Sequence, residues 1–286
     1  AGVTYRIYSA RQDTLDRNLR EAEAQARVFE DHLTQTLNLV NLTLQSLTET
    51  IDLPGPGKPG GLVASQQLEQ IQRRLLFLRS ISIGNEQGRI FASSSEENIG
   101  KIVSTEEFQP QREGSHIADF LRLGPAWYGR DFADGRAGSA SDPIPADALS
   151  FLPTAREEIA HGKKHLLLAS INPDYFLHHI AYLIDPALTT VEILSYQGNL
   201  LLSSAEQAAR GTPWADSAHL TQMRANEIGR FDHAAQGEQD KNFSVFRASR
   251  NFPLFVVVRV NESVALANWQ SQTLHTIWIT ALGLAV

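Results

Sequence analysis

Five residues in the middle of the chain have side chains suited to holding a small charged molecule: Trp127, Tyr128, Arg130, Asp131 and Arg156. The two rings offer apolar faces, and a guanidinium is a planar fork that matches a carboxylate. They lie in or beside predicted strands. Strand alternation puts Trp127 and Tyr128 on opposite faces, so one of the pair is expected in a pocket and the other behind it. The same residues have a plainer use, in which the rings pack a sheet and Arg130 pairs with Asp131 or Asp134 at the surface. The sequence leaves both uses open.

Other combinations are less productive. His161 and His165 bracket a Gly-Lys-Lys turn, and His178 and His179 are helical neighbours pointing about 100° apart. Neither pair shares a face with a carboxylate as a zinc site requires, so no metal is expected. Glu157 and Glu158 alternate across a strand and Glu96-Glu97 falls in a turn, arrangements that do not make a pair of catalytic carboxylates. No Gly-x-Ser-x-Gly elbow, phosphate loop or His-Glu-x-x-His motif occurs, so no cofactor and no catalytic activity are expected.

Composition narrows the partners. The 286 residues are 42% hydrophobic and 20% charged, enough to build one large or two small cores. A net charge of -7 leaves no basic face for a phosphate backbone, which argues against nucleic acid. With no cysteine, disulfides and thiolate chemistry are excluded, and the chain would avoid mispairing in an oxidising compartment.

The elements that must position these residues are legible from periodicity. Apolar residues from Leu15 through Phe29, Leu37 and Leu44 to Ile51 step by three or four, predicting a helix about 55 Å long, more than one small lobe covers. It ends in the breaker segment Pro54–Gly61. A short helix over Ser65–Leu78 leads to strands at Arg79–Ile83 and Arg89–Ser93 around a Gly turn. The same pattern returns at Val191–Ser203, and each instance ends in a serine pair, Ser93-Ser94 and Ser203-Ser204, which points to an internal duplication. Further strands are predicted at His116–Leu123, Ala126–Ala133, Leu149–Glu157 and His165–Ile171. Asn172-Pro173 then caps a helix over Asp174–Leu183. The second lobe closes with strands at Ile228–His233, Phe243–Arg247 and Leu254–Val260, and Asn261 caps a final helix.

Both ends carry membrane-like signals. Ile277–Val286 has no charge and is shorter than a full span, as expected of the start of a transmembrane helix, with Trp269 and Trp278 at headgroup level. A buried C-terminal helix is the other reading. Val3, Tyr5, Ile7 and Tyr8 resemble the trailing edge of a first anchor. The organisation expected is a tail and long helix over 1–53, a membrane-distal lobe over 62–186, a membrane-proximal lobe over 187–262 and an output helix over 263–286.

This order resembles the double Cache sensor family, whose lobes are PAS-like. Leu78–Ile83 with Gly88–Ser94 is similar to the family's first hairpin, and Ser104–Phe108 sits where the family has a short helix with an aromatic. Asn172–Phe176 resembles the segment after the last distal strand, and Phe252–Val258 the final proximal strand. The resemblance implies an α+β fold, a long N-terminal helix backing two antiparallel-sheet lobes. It also implies a distal-lobe pocket for a small molecule and an attached histidine kinase, cyclase or chemotaxis output. Glu106 stands where many members have Arg, and the Arg-x-Trp-Tyr pattern of the amino-acid-binding subgroup is missing.

The function expected is extracytoplasmic, periplasmic ligand sensing by a transmembrane receptor that works as a homodimer, with the signal leaving through the C-terminal helix. The alternative is a scaffold that dimerises or binds a protein without sensing a small molecule; a periplasmic hydrolase is a third class.

Overall fold

A computed structural model describes residues 2–51, 61–110, 120–139, 141–145, 147–160, 162–205, 208–214, 217–233, 242–267 and 269. Most of the breaker segment, the start of the strand expected from His116, His161 and the apolar end from Ile277 lie outside the described residues. Among the described residues no helix is long and apolar enough to cross a membrane.

The apolar stripe produces helix α1, Gly2–Thr50, which at 1.5 Å per residue is about 73 Å long. Ala22, Phe29, Leu37, Leu44 and Ile51 are all buried on one face. That face covers two sheets in turn. The N-terminal half meets the proximal sheet, where Glu23 accepts from Arg230 at 2.6 Å and Thr34 bonds Ser249 at 3.1 Å. Farther along, Asn41 accepts from Arg156 of the distal sheet at 2.8 Å.

Helix α2 (Gly61–Gln72) leads into the distal strands β1 (Leu78–Gly84), β2 (Ile90–Ser93), β3 (Arg122–Leu123), β4 (Trp127–Tyr128), β5 (Arg136–Ala137), β6 (Ser150–Ala160) and β7 (Lys163–Ile171). They form one antiparallel sheet in the order β2-β1-β7-β6-β4-β5, with β3 also on β6. Helix α3 (Pro173–Leu183) starts at Asn172, whose side chain accepts from the Asp174 N–H, and carries the chain to the second lobe. There β8 (Thr189–Ser195), β9 (Leu200–Ser203), helix α4 (Ser217–Ala225), β10 (Ile228–His233), β11 (Asn242–Ala248) and β12 (Leu254–Asn261) build a sheet in the order β10-β11-β12-β8-β9. The structure is therefore α+β, with one long helix behind two antiparallel sheets, as expected.

The duplication holds at the level of single hydrogen bonds. Ser94 N–H donates to the Ile81 carbonyl and its hydroxyl accepts from Ile81 N–H; Ser204 does the same with Val191, each bond 2.9 Å long. Each hairpin carries a bulge before its turn, at Ile83/Gly84 and Ile193/Leu194. Each turn has a positive-φ glycine, Gly88 at 74° and Gly198 at 88°. At Gly88 a Cβ would come within 2.3 Å of the Val103 carbonyl oxygen, so the returning chain itself demands glycine there.

Three expectations need correction. The strand expected over Ala126–Ala133 stops at Tyr128, because Gly129 takes φ 122° and the Asp134 carboxylate accepts from the N–H groups of Arg130 and Asp131, folding 129–134 into a turn. Ser104–Phe108 is a turn with Phe108 buried, not a helix. The helix expected over Ser65–Leu78 begins earlier and ends at Gln72. Helix α4, with its buried Met223, was not foreseen.

Since Leu37 is fully buried at the waist of α1, Leu37→Ala is expected to cost about 2–5 kcal/mol, measured as a lower urea midpoint. Leu39→Ala, on the half-exposed outer face, should change stability by no more than about 0.5 kcal/mol.

Candidate functional site

Each sheet has one face on α1 and another crossed by loops. In the distal lobe the crossing face divides into two unlike halves. One is apolar: Phe108, Phe132, Phe151 and Leu168 are buried there, and Trp127 packs edge-on to the three phenylalanines at centroid distances of 5.8–6.2 Å. The other half is polar. Ser80 and Ser82 of β1 alternate with Ile81 and Ile83, which face α1, and the registers Ser82↔Ser93 and Ser80↔Ser170 add two more serines to the same face.

Two side chains from the crossing loops complete the polar half. Asp131 is buried, and its Oδ1 accepts from the Ser80 hydroxyl at 2.7 Å and from the Phe132 N–H at 2.8 Å. Asn98, fully buried at the end of a short 3-10 turn, donates to the Ser80 hydroxyl at 3.2 Å and accepts from the Ala133 N–H at 2.9 Å. Burial raises the Asp131 carboxyl above its ordinary range; the bonds from Ser80, Phe132 N–H and Asn98, and the charge of Arg79, oppose that rise without cancelling it. Among the described residues Asp131 has no ion-pair partner within 4 Å; Arg79 instead donates to the carbonyls of Gly129 and Arg130 and to Asn172. Among the described residues three polar atoms on this face, Trp127 Nε1, Ser170 Oγ and Arg122 Nε, are buried with no hydrogen-bond partner.

The five residues singled out from the sequence therefore separate. Trp127 and Asp131 are on the crossing face. Tyr128 lies on the opposite side with the α1 core, as strand alternation requires. Arg130 is exposed and its backbone, not its guanidinium, is held by Asp134. Arg156 is buried on the α1 side, bonded to Asn41 and paired with Glu158, so it does not reach the crossing face. Its place as the crossing-face cation is taken by Arg122, which donates to the Thr105 and Phe108 carbonyls and sits 3.6 Å from Glu157. Serines at every second position of Arg79–Ile83 were a readable sign of a polar crossing face.

The proximal lobe fills the equivalent space differently. Glu192 stands in register with Ser203 as Ser82 does with Ser93. Its carboxylate accepts from Arg259 at 2.8 and 2.9 Å and from Trp214 Nε1 at 2.6 Å, and the Arg259 guanidinium lies 5.6 Å from the Trp214 ring centroid. This buried charge is fully paired.

No protein-family model matches the sequence, and no curated protein matches it significantly. Solved structures share its fold. The extracellular domain of rpHK1S-Z16, a candidate histidine kinase, aligns over 87% of this chain and 97% of its own with TM-score 0.66 and 18% identity. The sensory domain of the Campylobacter jejuni chemoreceptor Tlp3 with isoleucine bound aligns over 89% and 97% with TM-score 0.55 and 10% identity. The ligand-binding domain of the Pseudomonas aeruginosa amino acid chemoreceptor PctB with L-Arg aligns over 90% and 98% with TM-score 0.52 and 12% identity. The fold is thus that of double Cache sensor domains.

Because folding raises the Asp131 pKa, the protonated form favours the folded state and the ionised form opposes it. Its contribution to stability is full below the ordinary aspartate range and is lost as pH rises through the raised value. Asp131→Asn, which keeps an oxygen for Ser80 and Phe132 N–H, is expected to flatten that part of the stability–pH curve. Asp131→Ala should cost about 1–3 kcal/mol by leaving those donors without a partner, as read by denaturant titration at several pH values.

Proposed function

We propose that this chain is the extracytoplasmic sensing part of a membrane receptor, without catalytic activity, and that its ligand is a small amine-bearing molecule taken at the polar half of the distal crossing face. The observation that carries the reading is Asp131: a buried carboxylate held by neutral donors, with no cation in contact among the described residues. An ammonium group would satisfy such a carboxylate as Arg259 satisfies Glu192 in the other lobe. Trp127, whose indole N–H has no partner among the described residues, offers a donor to an acceptor on the same molecule. Isoleucine and L-Arg, bound by the chemoreceptors of this fold, carry an ammonium group and a carboxylate.

Transmission would run through α1 and the helix that follows β12. Arg11 of α1 pairs with Glu262, and Asn261 caps that helix by accepting from the Val264 N–H. A ligand that prefers one arrangement of the distal lobe shifts the other elements by its differential affinity alone. In the full receptor, a periplasmic homodimer anchored by flanking membrane helices would convert that shift into a signal across the bilayer.

One observation favours the scaffold reading: four aromatic rings already fill the apolar half of the crossing face. The two readings part in a thermal-shift screen with amino acids, polyamines and monoamines. Sensing predicts that one amine at 100 times its dissociation constant adds about 2.7 kcal/mol. That gain should vanish in Asp131→Asn and shrink in Trp127→Phe. If no amine shifts the melting temperature, the scaffold reading takes its place.

A further inference from the structure

A cavity of about 370 Å³ lies between the two lobes, away from Asp131. Its distal wall comes from Glu107, Gln109, Leu123–Pro125 and Gly138-Ser139, and its proximal wall from the β8–β9 hairpin, Gly211 and Pro253-Leu254. The size falls near the lower end of small-molecule sites.

The chemistry of its lining is unlike that around Asp131. Amide or hydroxyl groups come from both lobes: Gln109 and Ser139 on one side, Ser195, Gln197 and Asn199 on the other. These groups both donate and accept, which suits hydroxyls of a ligand. Leu123, Leu201 and Leu254 are buried behind them, and Pro125 and Pro253 add apolar CH surface. Among the described residues the only charged side chain in the lining is the exposed Glu107, with no Lys, Arg or His beside it.

The lobes touch beside this space. Ile144 N–H donates to the Arg210 carbonyl at 3.1 Å, and the Arg210 guanidinium, from the proximal lobe, bonds the Ser150 hydroxyl of the distal one. Gly211, at φ 82°, lies so close to Gly138 that a Cβ on it would stand 3.3 Å from the Gly138 carbonyl carbon. These contacts bound the cleft along one edge.

We infer that the interlobe cleft is a second ligand site, for a small uncharged polyhydroxyl compound such as a mono- or disaccharide. Such a ligand bonds both lobes at once, so its occupancy favours one lobe-to-lobe arrangement over others. The two sites would then report different chemistry, a cation in the distal lobe and a neutral sugar at the junction.

The test is calorimetric titration of this chain with glucose, maltose and N-acetylglucosamine, with L-arginine and acetate as charged controls. Gln197→Trp and Ser139→Trp each place a bulky ring in the cleft from an exposed position on a different lobe; Ser139→Trp also removes the hydroxyl that accepts from the Asp142 N–H, so both variants are first checked for the wild-type melting profile. The inference expects saturable binding of at least one of the three sugars that weakens by about tenfold or more in each Trp variant and is unchanged in Asp131→Asn. Sugar binding lost in Asp131→Asn but kept in both Trp variants would overturn it while leaving distal-lobe sensing intact. Binding of only L-arginine or acetate, or no binding by any of the three sugars, would overturn it outright; an L-arginine response lost in Asp131→Asn would still support the distal site.

Discussion

A single helix that is too long for one lobe constrains everything else in this structure. The apolar stripe of α1 extends from Ala22 to Ile51, and no single small sheet can dry that length. Two sheets do so in tandem, and most of the buried apolar residues of both belong to one continuous core along the helix. Because one face of each sheet is committed to α1, any chemistry must occur on the other face or between the lobes. The crossing-face residues and the interlobe cleft are the two places this architecture leaves open.

The duplicated hairpin shows how one backbone supports two different interiors. Turn glycines, bulges and the serine bonds repeat from β1–β2 to β8–β9, so the backbone demands are the same in both lobes. The crossing-face side chains do not repeat. Where Ser82 leaves a small polar surface, Glu192 introduces a charge, and a buried charge must be matched. Arg259 and Trp214 match it within the lobe itself. The distal lobe keeps its carboxylate on a crossing loop instead, supported by neutral groups, and burial penalises its charge.

How much of this could be read in the sequence follows from how local the determining interactions are. The α1 stripe, the two Gly-turn hairpins and the Asn172-Pro173 helix start depend on residues within a few positions of one another, and each was legible. Strand alternation also separated Trp127 from Tyr128 correctly, since it needs only the period of a strand. The strand expected beyond Tyr128 failed because the Asp134 side chain competes for backbone N–H groups and folds the segment into a turn. That Arg156 faces α1 was not legible, because its partner, Asn41, is 115 residues away on that helix. The bond between Ser80 and Asp131 spans 51 positions, and nothing at either end announces the other.

Arg79 connects these levels. It is the extra residue of a bulge between Leu78 and Ser80, so it leaves the strand outside the regular alternation while Ser80 faces Asp131. Its guanidinium holds the carbonyls of Gly129 and Arg130, which immediately precede Asp131, and also Asn172, which caps the helix between the lobes. Burial lowers its pKa and the charges of Asp174, Asp131 and Asp134 oppose that change, so one cation is balanced among acids of both the site loop and α3. A guanidinium is planar and its donors are fixed in direction, so the Asp131 loop and the α3 cap cannot move apart without breaking part of this set.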